Sequence, residues 1–483
     1  MPEDLSEKLL THYVEGMWVA PLATRTFPVV NPATEEEEGR IVLGGAADVD
    51  RAVDAAVRAL PGFSAWPKAD RLALLRRILA VSERRLSDLA CAITRDMGAP
   101  ATMSLGMQAD VAVGHLQGII AALEAQPERE ELANGDILVR EPVGVCALIT
   151  PWNWPINQIT LKVLPAIAAG CTSVLKPSEF TPLSSIVYME ILDDAGVPPG
   201  VVNMIQGDGA ETGAALVAHP DVDMVSFTGS TRAGRLITKS AADGIKRVTL
   251  ELGGKSPNLV FADCGDQLEE RVRYAVRECF LNTGQSCDAP TRMLVEESVY
   301  PRVVEIATEA ARATRLGDPA EEGDHLGPLV SDIQWGRVQG HIEAGIAEGA
   351  RLTCGGPGKP EGFEKGYWCR PTVFADVRPG MSIEREEIFG PVLSILPFRD
   401  EAEAIRIAND TDYGLAAYVQ TGDRDRAERL ARALRAGAVH VNGAGMQYGS
   451  PFGGMKQSGN GREGGVHGLA EFQELKTLHI GGF

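Results

Sequence analysis

The chain has 483 residues, 44% of them hydrophobic, and its 66 acidic against 46 basic side chains give a formal net charge of −20. That balance repels nucleic acid and anionic membrane surfaces at long range and argues against either as a partner; no apolar run approaches the roughly 18 residues that would span a bilayer. The length exceeds what one hydrophobic core organises and predicts about two to four lobes.

In chain order, the opening MPEDLSEKLL is acidic and lacks the basic start and apolar stretch of a secretion signal, so a cytoplasmic protein is expected. From Ala52 to Ala125 apolar residues recur at three- and four-residue intervals, which predicts helices. The polar stretch EAQPEREELANGDILVREPVG interrupts them as an excursion, with a hairpin signal at Asn134-Gly135. A regular alternation then begins. VCALIT, CTSVLKP, VVNMIQG, VDMVSFTG and RVTLELGG read as strands, separated by the helical ITLKVLPAIAAG, PLSSIVYMEILDDAG and STRAGRLITKSAAD. Strands alternating with helices imply a parallel sheet covered on both faces, with ligands at the carboxyl ends of its strands. A second such block starts near Pro257 with PNLVFAD, a helix through Cys279, then TRMLVEE, PVLSILPF and the helical EAEAIRIAND. The closing FQELKTLHI reads as a strand that pairs with the excursion or with another subunit. The fold class predicted is α/β, with two doubly wound parallel-sheet lobes and a small β arm.

Several short stretches carry chemistry, each with an ordinary alternative. Cys287 in NTGQSCDAP sits among glycine, amide and hydroxyl residues rather than in an apolar run, unlike a core thiol. FTGSTRAG takes a strand through Gly229 into a helix opened by Ser230 and Thr231, a start that suits phosphate or a plain N-cap. VLKPSE places Lys176 and Glu179 just past a strand, where they can hold ribose hydroxyls or form a solvated pair; the carboxylate would repel a 2′-phosphate and favour NAD over NADP. TPWNWP offers Trp152 as a rigid wall and Asn153 as an amide donor for an oxyanion, or a structural loop. LELGGKSP puts Glu251 between leucines, where burial would raise its pKa toward that of a general base, unless the strand edge is exposed. REEIFGPV supplies Glu387 and Phe389 before a Gly-Pro turn, fit for a nicotinamide ribose or a solvated helix end. The eight cysteines form no Cys-x-x-Cys pair and the eight histidines no ligand spacing, so neither a metal nor a disulfide framework is expected.

Read together, PWNWP, VLKPSE, FTGST, LELGGKSPNLV, NTGQSC, EEIFGPV and PFGGMKQSGNGRE, in that order, resemble the NAD(P)-dependent aldehyde dehydrogenases across nearly the whole chain. The resemblance implies Cys287 as nucleophile and a thiohemiacetal whose oxygen Asn153 and the Cys287 N–H stabilise. Hydride passes to the nicotinamide, and Glu251 activates water to hydrolyse the thioester. It further implies that Lys176 and Glu179 hold the adenosine ribose, Gly229 and Ser230 the pyrophosphate turn, and Glu387 with Phe389 the nicotinamide half, while Trp152 lines the cofactor cleft. NAD is the expected cofactor, with NADP open.

The same resemblance divides the chain into a Rossmann-like cofactor domain (1–123 and 143–252), a catalytic domain (253–460) and an oligomerisation arm (124–142 and 461–483), in a homodimer or homotetramer. Glu251 favours hydrolysis over transfer to coenzyme A. An acylating or NADP-preferring variant and a non-catalytic nucleotide-binding protein of the same fold are the competing readings. The sequence looks similar to a bacterial subgroup near betaine-aldehyde and 3-succinoylsemialdehyde-pyridine dehydrogenases.

Ser286 and Asp288 depart from the commoner family residues beside the cysteine. A carboxylate at Asp288 would oppose thiolate formation if it faces the sulfur, attract a cationic aldehyde if it faces the pocket, or turn away into the fold. Trp154, Asn157, Leu281, Ser286, Met446 and Phe452 are the substrate-wall candidates, and they single out no aldehyde.

Overall fold

The computed structural model describes residues 3–480; residues 1–2 and 481–483, the outer ends of the expected cofactor domain and arm, lie outside the described residues. Val145–Ile149, Thr172–Lys176, Val202–Met204 and Met224–Thr228 are buried at every position, as strands covered on both faces must be. With Arg247–Glu251 they form a parallel sheet. Its order places 247–251 and 224–228 on one side of 145–149, and 172–176 then 202–204 on the other. The strand order therefore reverses between 145–149 and 224–228, and a crevice opens beyond their carboxyl ends. Antiparallel additions close both edges: Gly459–Asn460 beside 247–251, and the hairpin of His12–Val14 and Met17–Val19 beyond 202–204.

The helices begin and end as their sequences direct. Pro155 opens Pro155–Ala169, where its missing N–H costs nothing, and Gly170 ends it in the left-handed conformation at φ 90°. Ser230 caps Thr231–Ala242, its hydroxyl accepting the Ala233 N–H at 3.3 Å.

A second sheet holds Thr372–Ala375, Val392–Phe398, Arg292–Glu296, Pro257–Val260, Ala416–Gln420 and Ala438–Val441 in parallel, with Arg351–Cys354 antiparallel at one edge. Both sheets are wrapped by helices, as an α/β protein of two doubly wound lobes requires. Arg292, fully buried, ties this lobe together by pairing with Glu384 at 3.0 Å and donating to the carbonyls of Lys255, Ile407 and Ala408.

Of the two partners open to the closing strand, it takes the excursion of its own chain. Gln473–Leu478 runs antiparallel to Ile137–Pro142, which turns back onto Arg129–Glu131. Residues 461–472 do not extend this small sheet; the helix Gly465–Glu471 packs on Val111–Ala125 and Pro155–Ala169. Among the described residues no helix is long and apolar enough to cross a membrane, and no cluster of side chains is suited to a metal ion.

Candidate active site

The crevice at the first sheet's switch point meets the amino-end loops of the second sheet. Together they enclose a cleft of about 270 Å³. Trp152 and Asn153 enter from the turn after Ile149, and Gly229 and Ser230 from the turn after Thr228. Glu251 stands at the end of its strand, while Cys287 and the Glu387–Phe389 turn reach in from the other lobe. Lys176 and Glu179 do not line this cleft. They lie one strand along the same carboxyl edge, where Thr150 N–H donates to the Lys176 carbonyl at 3.2 Å.

Cys287 is held by a cross-braced loop. Asn282 and Thr283 adopt left-handed backbone at φ 55° and 57°, strained for residues with a Cβ, and the surroundings must enforce it. Asn282 Nδ2 donates to the Asn153 carbonyl at 2.8 Å, Gln108 Nε2 donates to Asn282 Oδ1 at 3.1 Å, and Gln285 Oε1 accepts the Val330 N–H at 3.0 Å. Gly284 must be bare, because a Cβ there would lie 2.2 Å from the Gly390 carbonyl oxygen. Asn153 Nδ2 donates one hydrogen to the Gln285 carbonyl at 3.0 Å, which fixes the amide beside the thiol and leaves its second hydrogen free.

Charge around the sulfur opposes its ionisation. Burial, followed by the carboxylates of Asp288, Glu387 and Glu251, holds the Cys287 thiol well above the ordinary range. Glu251 is 5% exposed, so the exposed-edge alternative does not hold, and among the described residues neither of its carboxylate oxygens has a hydrogen-bond partner. Burial, then the neighbouring Glu463, raises its pKa well above the usual carboxylate range, against the pull of Lys162 and Arg462. Glu387 is pushed up to about 7 by burial, although it accepts the Gly254 N–H at 3.1 Å. Glu387 is thus poised to gain or lose a proton near neutrality, and Glu251 holds its proton more firmly than an ordinary carboxylate.

On the opposite rim the Trp152 and Phe389 rings meet edge to face at 5.4 Å, and Phe389 is itself left-handed at φ 58°. Gly229 and Gly253 keep the floor bare; a Cβ on Gly253 would come within 2.2 Å of Glu387. The free N–H groups at the start of Thr231–Ala242 point a partial positive charge at this floor. Lys176 Nζ donates to the carbonyls of Pro177 and Gly207, each at 2.8 Å, which leaves one hydrogen for a ligand with Glu179 3.8 Å away. Bare glycines, a helix start, an aromatic wall and a lysine–glutamate pair suit a dinucleotide.

Toward the substrate side, Trp154 Nε1 donates to Ser286 Oγ at 2.8 Å and Asn157 Oδ1 bonds the His115 ring at 2.6 Å. Met446 is 47% exposed, and Phe452 bridges antiparallel to Glu463. Gln334, Arg337 and His341 also line the cleft and carried no sequence signal. Gln334 Nε2 holds the Phe389 carbonyl at 2.9 Å. Lys162, buried and bonded to Thr228 and Glu463, was detectable in principle as a lone cation inside the otherwise apolar helix ITLKVLPAIAAG.

The profile of the aldehyde dehydrogenase family matches residues 18–478. The chain belongs to the aldehyde dehydrogenase family. A 3-succinoylsemialdehyde-pyridine dehydrogenase from a Pseudomonas species is 51% identical over 467 residues, covering 96% of this chain and 97% of that one. The fold of an aldehyde dehydrogenase from Bartonella henselae superposes with a TM-score of 0.95 at 48% identity, over 97% of this chain and 98% of the other. Aldehyde dehydrogenase C from Pseudomonas syringae, solved with NAD and octanal, gives 0.96 at 48% identity, over 98% and 97%. The protein is thus an aldehyde dehydrogenase by family, an enzyme that oxidises aldehydes, built on the α/β fold its relatives share.

Proposed function

We propose that this aldehyde dehydrogenase uses NAD to oxidise an aldehyde to the free carboxylic acid, with water as the acyl acceptor. The observation that carries the reading is Glu251, a buried carboxylate with both oxygens unpartnered in the same cleft as Cys287. A group that costs so much to bury without a partner suits a general base.

Cys287 Sγ adds to the aldehyde carbon, and the second amide hydrogen of Asn153 with the Cys287 N–H steadies the oxygen that becomes negative. NAD, when bound, supplies the hydride acceptor. Glu251 then takes a proton from water, which attacks the thioester carbon and frees the acid and the thiol. Ser230 and Gly229 would receive the pyrophosphate, Lys176 and Glu179 the adenosine ribose, and Glu387, Phe389 and Trp152 the nicotinamide half. Relatives solved with NAD, the Pseudomonas syringae enzyme among them, support this choice of cofactor, and the Glu179 carboxylate disfavours a 2′-phosphate.

We assign 1–123 and 143–252 to cofactor binding and 253–460 to catalysis, with 124–142 and 461–483 as an arm for assembly in a cytoplasmic homodimer or homotetramer. Among the described residues the outer edge of Gln473–Leu478 is unpaired, and its Leu475 is 65% exposed, as an assembly surface would be. Sedimentation should give a mass of two or four chains; a monomer would remove the assembly. The deciding experiment is absorbance of reduced cofactor with NAD and choline-derived, aromatic, aliphatic and semialdehyde substrates, with and without coenzyme A. Turnover independent of coenzyme A is expected. Dependence on coenzyme A would assign the acylating reaction, and silence with every aldehyde would refute catalysis.

A further inference from the structure

We propose that Arg337 and His341, on the second lobe, close over the pyrophosphate of the bound dinucleotide while the helix start at Ser230 holds it from the first, and that the His341 ring lets this grip tighten as the pH falls. The proposal rests on the reading of the cleft as a dinucleotide site and adds a cross-lobe anchor to it.

Arg337 and His341 line the same cleft as Gly229, Ser230 and Cys287. They lie on the helix Asp332–Ala347, where Gln334, Arg337 and His341 fall at intervals of three and four residues and so share one face. Gln334 fixes that face to the Glu387–Phe389 turn, its Nε2 donating to the carbonyls of Ile388 at 3.2 Å and Phe389 at 2.9 Å. At about 270 Å³ the cleft is smaller than most small-molecule pockets, so its walls address the same part of a ligand.

Among the described residues Arg337 makes no ion pair or hydrogen bond, and neither ring nitrogen of the half-buried His341 is bonded. Of the other ionisable groups lining the cleft, Glu251 and Glu387 have raised pKa values and Cys287 is held as the thiol. Arg337 is therefore the one permanent charge on these walls. A chain of net charge −20 thus places an unpaired cation at this cleft, where an anion would meet it.

The pyrophosphate is the anionic part of a dinucleotide, and helix starts and guanidinium groups both suit phosphate. Ser230 and the helix it caps supply the first from one lobe. Arg337 supplies the second from the other, with a planar fork that two phosphate oxygens can share. His341, one turn further along the helix, adds an N–H donor whether its ring is neutral or charged.

Burial, then the charge of Lys255, holds His341 below the ordinary imidazole range, against the pull of Glu386. Arg337 is its charged neighbour on the same helix face, and Glu387, Glu251 and Cys287 line the cleft with it. The helix packed on this one, Ser382–Arg385, commits Glu384 to Arg292 and Arg385 to Asp410. The free ring is thus neutral at pH 7. A pyrophosphate beside it favours the protonated form, so binding takes up a proton. Affinity should rise as the pH falls through the pKa of the bound state and level off below that of the free state. Glu387 acts in the opposite sense, because protonation at about 7 removes the carboxylate that accepts from ribose hydroxyls. Comparing proteins that share Glu387 isolates His341.

The test reads binding rather than turnover. NADH affinity is measured by its fluorescence, and ADP-ribose and adenosine by displacing it, for the wild type, Arg337→Gln, Arg337→Lys and His341→Gln. At neutral pH Arg337→Gln should weaken NADH and ADP-ribose at least about tenfold, and Arg337→Lys by less. Adenosine, which carries no phosphate, should bind all four proteins alike. From about pH 8 down to about pH 5 the wild type should gain NADH affinity over His341→Gln by several-fold or more.

Equal NADH affinity in the wild type and Arg337→Gln, or matching pH profiles in the wild type and His341→Gln, overturns the proposal. So does a loss of adenosine along with the phosphate ligands, which would assign the effect to the cleft as a whole. A wild type that binds no NADH overturns the dinucleotide reading beneath the proposal; NADH bound equally well by the wild type and every variant overturns the cross-lobe grip alone.

Discussion

The two rims of the cleft are built on opposite plans. The rim after Met224–Thr228 is mostly backbone: a bare glycine and the capped start of a helix. The rim carrying Cys287 is mostly side chain, with two non-glycine residues in left-handed conformation braced by the amides of Gln108 and Gln285 and by the carbonyls of Asn153 and Gly327. The first is shaped to receive a large polar molecule at low cost. The second stores strain to fix one sulfur, in surroundings that resist its ionisation. The phosphate floor and the nucleophile are thus placed on opposite rims, with Asn153 and Glu251 reaching the sulfur from the first lobe, and substitutions should separate cofactor binding from chemistry.

The largest separation is expected from Cys287→Ala. Steady-state oxidation should fall by roughly 10⁶-fold, the scale on which a lost nucleophile acts, while titration of NAD by quenching of tryptophan fluorescence stays near the wild-type affinity. Loss of both together would merge the two rims into one. Glu251→Gln tests the chemical group that the first lobe contributes. Turnover should drop by about 10²- to 10⁴-fold, yet stopped-flow absorbance should still record a burst of reduced cofactor; a burst that falls with turnover would place Glu251 before hydride transfer. Gly229→Ala addresses the other rim, since its Cβ would lie 2.5 Å from the Phe227 ring and force it to shift. KM for NAD should rise about tenfold, while alkylation of Cys287 stays slow at neutral pH and climbs only on the alkaline side, as its raised thiol demands. A changed alkylation profile would couple the rims more tightly than their separate frameworks suggest.

Most of the parallel strands were legible because buried runs such as VCALI and MVSFT leave no polar face, and the helix at Pro155 is bounded by proline and glycine. Of the residues singled out in the quoted stretches, Trp152, Asn153, Gly229, Ser230, Glu251, Cys287, Glu387 and Phe389 line the cleft, because such types sit where strands end, whereas Lys176 and Glu179 lie beside it. Less was visible where meaning depends on distant partners. The hairpin at His12–Val19 and the short strand Gly459–Asn460 join the first sheet only by closing against strands far along the chain. Gln334 and His341 sit on an otherwise ordinary helix, Asp332–Ala347, and only folding turns them to the cleft. Asp288 was ambiguous for a related reason: local sequence names the carboxylate, whereas its effect on the sulfur depends on where a half-buried loop points it.

The contact between Gly284 and Gly390 joins the two loops like meshed gears, since neither backbone has room to slip past the other. A molecule that pressed on the Glu387 turn as it settled would press through this joint on the loop that carries the sulfur. A reporter dye placed on either loop would then register arrivals at the other, and crowding this joint would jam entry and reaction alike.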